Sequence, residues 1–308
     1  MNWENKNILV TGGSGFLGSR VVAMLEEKGA KNIIVPRSKE CDLRIQENCS
    51  KITKNVDIVF HIAAKVGGIG FNQEKPGELF YDNLMMGVNL IEESRKNQVK
   101  KLIALGTICS YPKFTPLPFS EDDIWSGYPE ETNAPYGLAK KMLLVQSQAY
   151  EQQYNFKSIV VFPTNLYGPR DNFDDKTSHV IPAIIKKIHY AKKNHENTIS
   201  LWGDGNPTRD FLYVDDAATG IILAGEKYDK TEPLNLGSDG EISIKTLAQK
   251  IIELMNADVK IHWDTSKPNG QPRRCVSIDR AKLEIGFEPK ISLEDGLKKT
   301  IDWFNEQD

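Results

Sequence analysis

The chain has 308 residues, of which 40% are hydrophobic and 26% charged, a composition that suits a soluble globular protein. Its 39 basic and 42 acidic side chains leave a formal charge of -3, which argues against a nucleic-acid-binding protein, where a basic excess is expected. No apolar run approaches the roughly 18 residues of a membrane span, and the N-terminus carries no secretory h-region, so the expected location is the cytoplasm. Cys41, Cys49, Cys109 and Cys275 have no CxxC spacing, so neither a disulfide framework nor a metal site is expected.

The apolar pattern alternates along the N-terminal half. Residues 8–10 form a β-type run, and residues 14–28 carry helical spacing through Leu17, Val21, Met24 and Leu25. Strand-like runs follow at 32–35 and 56–62, then a long helix at 79–96. A fourth strand is expected at 101–105, a helix at 140–154 and a fifth strand at 158–162. Short apolar runs between amphipathic helices indicate buried parallel strands in βαβ units. The expected fold is α/β, a Rossmann-type doubly wound parallel sheet. Beyond residue 168 come a polar loop, a helix at 182–193, a Gly/Pro turn at 203–207 and a helix at 214–223. A strand at 234–236 is expected to return to the first sheet. Helices at 244–255 and 293–305 flank a strand at 259–261. This implies a dinucleotide-binding domain over 1–168, with return segments near 210–237, and a smaller, non-contiguous α/β substrate domain over 169–308.

Gly12-Gly13-Ser14-Gly15-Phe16-Leu17-Gly18 follows the first strand and opens the first helix. Gly12 suits the tight turn, Gly15 a close backbone approach to a pyrophosphate, and Gly18 close helix–strand packing. The helix N-terminus offers N–H groups to the anion. An acidic residue that would bond a ribose 2′-hydroxyl is missing after the second strand; Arg37, Ser38 and Lys39 stand there instead. These suit a 2′-phosphate, so NADP is the expected cofactor. Ala63-Ala64-Lys65 follows the third strand, at the edge where cofactor and substrate meet.

Tyr136 and Lys140 form a Tyr-x-x-x-Lys pair on one helix face. An ammonium beside the phenol is expected to favour the phenolate and lower the Tyr pKa from about 10. Such a Tyr passes a proton to or from an oxygen while hydride moves at the attached carbon. Thr107, after the fourth strand, supplies a second hydroxyl. His61, His189, His195 and His262 read as structural or surface residues.

With the glycine motif, this pattern is similar to the extended short-chain dehydrogenase/reductases of the NAD-dependent epimerase/dehydratase family. Longer stretches resemble the GDP-L-fucose synthases within it: Ala63-Ala64-Lys65-Val66-Gly67-Gly68-Ile69, Cys109-Ser110-Tyr111-Pro112-Lys113, Ser178-His179-Val180-Ile181-Pro182-Ala183 and Arg209-Asp210-Phe211. The sequence departs from that family at Thr107, where Ser is usual, and at Lys187, where Arg is frequent. The resemblance implies NADPH-dependent epimerisation and reduction of a nucleotide-linked keto sugar, GDP-linked. It assigns Cys109 and His179 to epimerisation, and Thr107, Tyr136 and Lys140 to reduction. It sets Pro163, Asn165, Leu166 and His179 against the cofactor. For the substrate, Arg209 and Arg273 or Arg274 are diphosphate candidates, Lys187 a weaker one, and Asn165 and Trp202 line the site. The same resemblance implies a homodimer through the helices at 79–96 and 140–154. Other readings are a 4-reductase, a single-centre epimerase or a 4-epimerase on another nucleotide sugar or heptose. A non-catalytic NADP-binding sensor is a reading of a different class, and it has no use for Thr107, Tyr136 and Lys140 together.

Overall fold

Six parallel strands form the central sheet in the computed structural model, which describes residues 1–307. In chain order the first half runs β1 (Asn7–Thr11), α1 (Phe16–Glu27), β2 (Asn32–Ile34), α2 (Gln46–Ile52), β3 (Ile58–His61), α3 (Ile69–Glu74) and α4 (Pro76–Lys96). It continues through β4 (Lys101–Leu105), α5 (Ala134–Tyr154), β5 (Ser158–Pro163) and β6 (Asn165–Tyr167). The second half holds α6 (Val180–Lys193), β7 (Thr198–Trp202), β8 (Thr208–Arg209), β9 (Phe211–Tyr213), α7 (Val214–Lys227) and β10 (Leu234–Leu236). Then come β11 (Ile242–Ser243), α8 (Ile244–Leu254), β12 (Lys260–Asp264), β13 (Arg273–Arg274), α9 (Asp279–Ile285) and α10 (Leu293–Asn305).

The sheet order is β10-β5-β4-β3-β1-β2. Every residue of β4 and β5 is buried, which is why Leu102–Leu105 and Ile159–Phe162 read as unbroken apolar runs rather than alternating ones. Helices α2, α4 and α5 pack together, as do α1, α7 and α9, and these two groups cover the sheet. The chain winds one way from β1 to β2 and the other way from β3 onward. This makes a topological switch point at the carboxyl ends of β1 and β3, where crevices form in such sheets. The expected return of residues 234–236 to the sheet is borne out: β10 pairs in parallel with β5.

Helix α5 begins at Ala134, six residues before the expected start, with Pro135 in its first turn. A proline there fixes a helical φ and loses no hydrogen bond. Tyr136 therefore lies inside the helix. Outside the large sheet, β7 pairs with β12, β6 with β9, and β8 lies between β11 and β13. The two- and three-residue strands among these, with α2, α3 and α9, lack the length that gives a period its signal in sequence, whereas β12 lies at the run expected at 259–261. Among the described residues no helix is long and apolar enough to cross a membrane.

Candidate active site

A cleft of about 1190 Å³ opens at the switch point. Its inner end is the glycine turn. A Cβ on Gly18 would lie 2.1 Å from the Gly12 carbonyl oxygen, so only glycine lets α1 start this close to β1. No side chain caps the N-terminus of α1, and Gly12, Ser14, Gly15, Phe16, Leu17 and Gly18 line the cleft there. The first-turn N–H groups are free to bind an anion, so the residues present fit a dinucleotide pyrophosphate. Gly13 does not line the cleft; its Cα faces Val35 and Val22 in the interior, where a Cβ would collide. Ala63, Ala64 and Lys65 line the next wall, with Pro163, Asn165 and Leu166 beyond.

The basic end differs from expectation in detail. Arg37 is exposed and its neighbours Pro36 and Ser38 form the cleft wall. Asp42 and Arg44, which carried no recognisable signal in sequence, also line it. Arg44 is engaged by Asp42 at 2.7 Å and Asp82 at 2.9 Å, and Lys65 by Glu78 at 2.8 Å and Asp82 at 2.9 Å. Both cations on the wall are thus neutralised by carboxylates, whereas Arg37 has its charge available.

Beyond β4 the chain makes one turn of tight helix, residues 108–110, capped by the Thr107 hydroxyl, which accepts the Cys109 N–H at 3.2 Å. The first turn of α5 presses onto it. A Cβ on Gly137 would sit 2.2 Å from the Cys109 carbonyl oxygen, and the Ser110 hydroxyl donates to the Gly137 carbonyl at 2.8 Å. These ties set Tyr136 beside Thr107 and Cys109. Burial raises the Tyr136 pKa, the nearby Cys109 adds to this, and a hydrogen bond with Thr107 partly offsets it. Burial brings Lys140 down to about 8. The expected lowering of Tyr136 by Lys140 is therefore corrected: desolvation disfavours the charged form of both groups, and here it dominates. His61 is fully buried behind them, with Nδ1 2.8 Å from the Thr11 hydroxyl and Nε2 unpartnered.

Cys109 is half-buried and faces the cleft. The Arg274 guanidinium donates through Nη1 to its Sγ at 3.5 Å, and Sγ lies 3.8 Å from the Asn133 Oδ1. His179 is the N-terminal flanking residue of α6 and also lines the cleft. Solvent reaches its ring, yet the concave walls around it displace enough water to lower its pKa. Lys187, Trp202 and Arg209 line the outer part, with Arg209 brought down to about 10 by burial and then by Arg274.

Arg273 is a misplaced expectation. It points outward to an ion pair with Glu241, while Arg274 is buried and lines the cleft. Adjacent residues of a strand face opposite sides, and β13 presents only its second arginine inward. Sequence reading also missed Asp171. It is buried against the cleft, its Oδ2 has no hydrogen-bond partner, and burial raises it to about 7.

A switch-point cleft with an uncapped glycine-turn helix and a Tyr/Lys/Thr group at its floor matches known proteins along nearly the whole chain. The pattern of the NAD dependent epimerase/dehydratase family matches residues 8–237. The chain belongs to this family. A GDP-L-fucose synthase of Sinorhizobium fredii is 41% identical over 303 residues, 98% of this chain and 96% of the relative. Among solved structures of similar proteins, a GDP-L-fucose synthetase from Naegleria fowleri bound to NADP superposes with a TM-score of 0.90 at 31% identity, covering 99% of this chain and 94% of the other. A GDP-6-OMe-4-keto-L-xylo-heptose reductase from C. jejuni gives 0.94 at 26% identity, with 99% of both chains covered. As a member of the epimerase/dehydratase family, the chain places its family motifs, the glycine turn and the Tyr136–Lys140 pair, on the same cleft.

Proposed function

We propose that this protein converts GDP-4-keto-6-deoxy-D-mannose to GDP-L-fucose by NADPH-dependent 3,5-epimerisation and 4-reduction. The observation that carries this reading is the single tied unit of Thr107, Cys109 and Tyr136. A thiol and a phenol delivered by one wall serve a carbon next to a carbonyl and the carbonyl oxygen itself.

A 4-keto group acidifies the C–H bonds at C3 and C5. Cys109 takes a proton from such a carbon, and His179 is the group that returns one on the opposite face. Thr107 and Tyr136 hold the keto oxygen, and Tyr136 gives it a proton as the carbonyl is reduced. NADPH supplies the hydride when bound, with its pyrophosphate at the N-terminus of α1 and its 2′-phosphate near Arg37. Ala63, Ala64, Lys65, Pro163, Asn165, Leu166 and His179 pack around the cofactor. Lys187 and Arg209 are the cations for the substrate, and Trp202 its outer wall; Arg suits phosphate through its forked donors. The exposed Phe80 and Tyr81 of α4, with Val145 and Tyr154 of α5, support a homodimer across these two helices. The place of action is the cytoplasm.

The test is incubation with GDP-4-keto-6-deoxy-D-mannose in deuterated water, with and without NADPH. Deuterium at C3 and C5, and a reduced product of inverted stereochemistry, are expected. The close superposition on the C. jejuni heptose reductase favours one competing reading, a plain 4-reductase. Under it the product forms with no deuterium at either carbon, and the proposal fails.

A further inference from the structure

Arg274 is a buried guanidinium with no carboxylate in salt-bridge range among the described residues. Its hydrogen-bond partners are unusual for a buried cation. Nε and Nη2 both go to the amide oxygen of Gln271, at 3.1 and 2.8 Å, and Nη1 goes to the Cys109 sulfur at 3.5 Å. Gln271 is itself buried and fixed, its amide nitrogen donating to the Lys113 carbonyl at 3.0 Å. The Arg274 carbonyl accepts the Asp210 N–H at 3.0 Å, which fixes the backbone beneath. One edge of the guanidinium is therefore locked, and the other is aimed at the thiol.

A buried cation needs a counter-charge, and an amide oxygen is only a dipole. The group within hydrogen-bond distance that can become an anion is Cys109. We infer that Arg274 is a positioning residue that holds Cys109 as a thiolate, with Gln271 setting the guanidinium's direction. This deepens the epimerase reading and rests on it for its role in turnover. The other groups facing the thiol do not replace Arg274. Arg209 lies within electrostatic reach of Cys109 but gives its Nη1 to the Thr208 carbonyl at 2.7 Å. Tyr136 is held neutral by burial. Glu130, the nearby carboxylate, is turned to Thr132 and Asn133 at 2.7 and 2.5 Å. Asn133 offers its amide oxygen as an acceptor to the Cys109 S–H at a long 3.8 Å, the one contact that favours the thiol over the thiolate and that the shorter Arg274 contact must outweigh, and this oxygen already takes a hydrogen bond from Asn72 at 3.0 Å.

In the step this serves, the C–H bond beside the keto group breaks. Its proton goes to the Cys109 sulfur and its electron pair to the keto oxygen, which becomes an enolate oxygen. A thiol that starts protonated cannot accept that proton, so the base must be charged beforehand. Arg274 supplies that condition in the free enzyme, before any substrate is bound.

The experiment measures iodoacetamide alkylation of Cys109 in the substrate-free protein from pH 5 to 9, resolved by peptide mass spectrometry from Cys41, Cys49 and Cys275. In Arg274→Met the rate at pH 7 is expected to fall about tenfold or more, with the profile moved to higher pH. Arg274→Lys restores part of it, because an ammonium keeps the charge without the fork. Solvent deuterium exchange into the keto sugar falls in step. If Cys109 alkylates with unchanged rate and profile in Arg274→Met while KM for the nucleotide sugar rises, Arg274 is a substrate-phosphate ligand and the inference is overturned. If Arg274→Met does not fold, Gln271→Glu carries the test. The added carboxylate competes for the guanidinium and slows alkylation, and an unchanged rate overturns the inference. Alkylation needs no substrate, so a wild type that alkylates as expected yet exchanges no deuterium sinks the epimerase reading alone.

Discussion

Tyr136 and Lys140, one helical turn apart in α5, are driven by burial in opposite directions, the phenol up and the ammonium down to about 8. Both shifts favour the neutral form. For Tyr136 this is the form the proposed reduction needs, because a phenol acting as proton donor must start protonated. For Lys140 it means the charge is present at neutral pH and lost within the ordinary working range. The reduction rate is therefore expected to fall as pH rises through about 8. Lys140→Met should be slow throughout and lack that limb. A kcat profile from pH 6 to 10 that is flat in the wild type contradicts this account.

Tyr136→Phe removes the proposed proton donor and leaves the α5 packing unchanged, since the contacts at Gly137 and Ser110 do not use the phenol. Reduction should drop roughly 100- to 10,000-fold, the range for a positioned acid. NADPH affinity, measured by fluorescence titration, should stay within a few-fold. Near-normal turnover would move the donor elsewhere.

The parts of this fold that carry an apolar run or a helical period were readable from sequence. β4 and β10 fall where the apolar runs put them, and α10 matches its predicted span. The glycine turn was readable because three spaced glycines follow a strand. Asp171, Gln271 and Asn133 were not, because a polar residue says nothing of its burial until the fold closes over it. Arg273 and Arg274 show the same limit at finer scale. Either arginine could have faced inward, and only the pairing of β13 beside β8 decides which does. Asp42 and Arg44 belong to a stretch with no period, so their arrival on the cleft wall is a tertiary result.

Arg37 bears on cofactor choice. Of the other cations near that end, Arg44 and Lys65 are each held by two carboxylates, whereas Arg37 and its exposed neighbour Lys39 are in no ion pair among the described residues. Arg37→Ala should weaken NADPH binding about tenfold or more and leave NADH binding nearly unchanged, since a charged hydrogen bond to phosphate is lost only in the first case. Equal losses for both cofactors would show that Arg37 acts on the fold of the loop, not on the 2′-phosphate.

Cys109→Ser separates the two halves of the chemistry. Ser is close in size, so Arg274 and Asn133 keep their places, but its hydroxyl is a far weaker base than a thiolate. Deuterium uptake at C3 and C5 should fall at least about 100-fold. Reduction of the unepimerised ketone should continue slowly, because Thr107, Tyr136 and Lys140 remain. His179→Gln should also impair inversion, by removing the group proposed to return the proton. Exchange that persists fully in Cys109→Ser assigns the base to another residue.

Asp171 links the cleft to stability. Its Oδ1 accepts the Asn172 N–H at 2.7 Å, but its Oδ2 is buried without a partner, and burial raises its pKa from the ordinary 3.8 to about 7. Between those values the folded protein keeps a proton that the unfolded chain has released. Stability from this group is full below about 4 and is lost as pH rises to about 7, above which the whole penalty stands. Asp171→Asn preserves an acceptor for Asn172 and cannot ionise. The mutant should therefore gain stability over the wild type as pH rises from 5 to 8, by an amount on the order of 1–4 kcal/mol. Asp210, also raised by burial, to about 6, titrates in both proteins and cancels in the difference. Urea unfolding of both proteins at pH 5 and pH 8 makes the comparison. A stability difference that is constant across that range would mean that Asp171 is not protonated in the fold, and that its buried oxygen has found a partner.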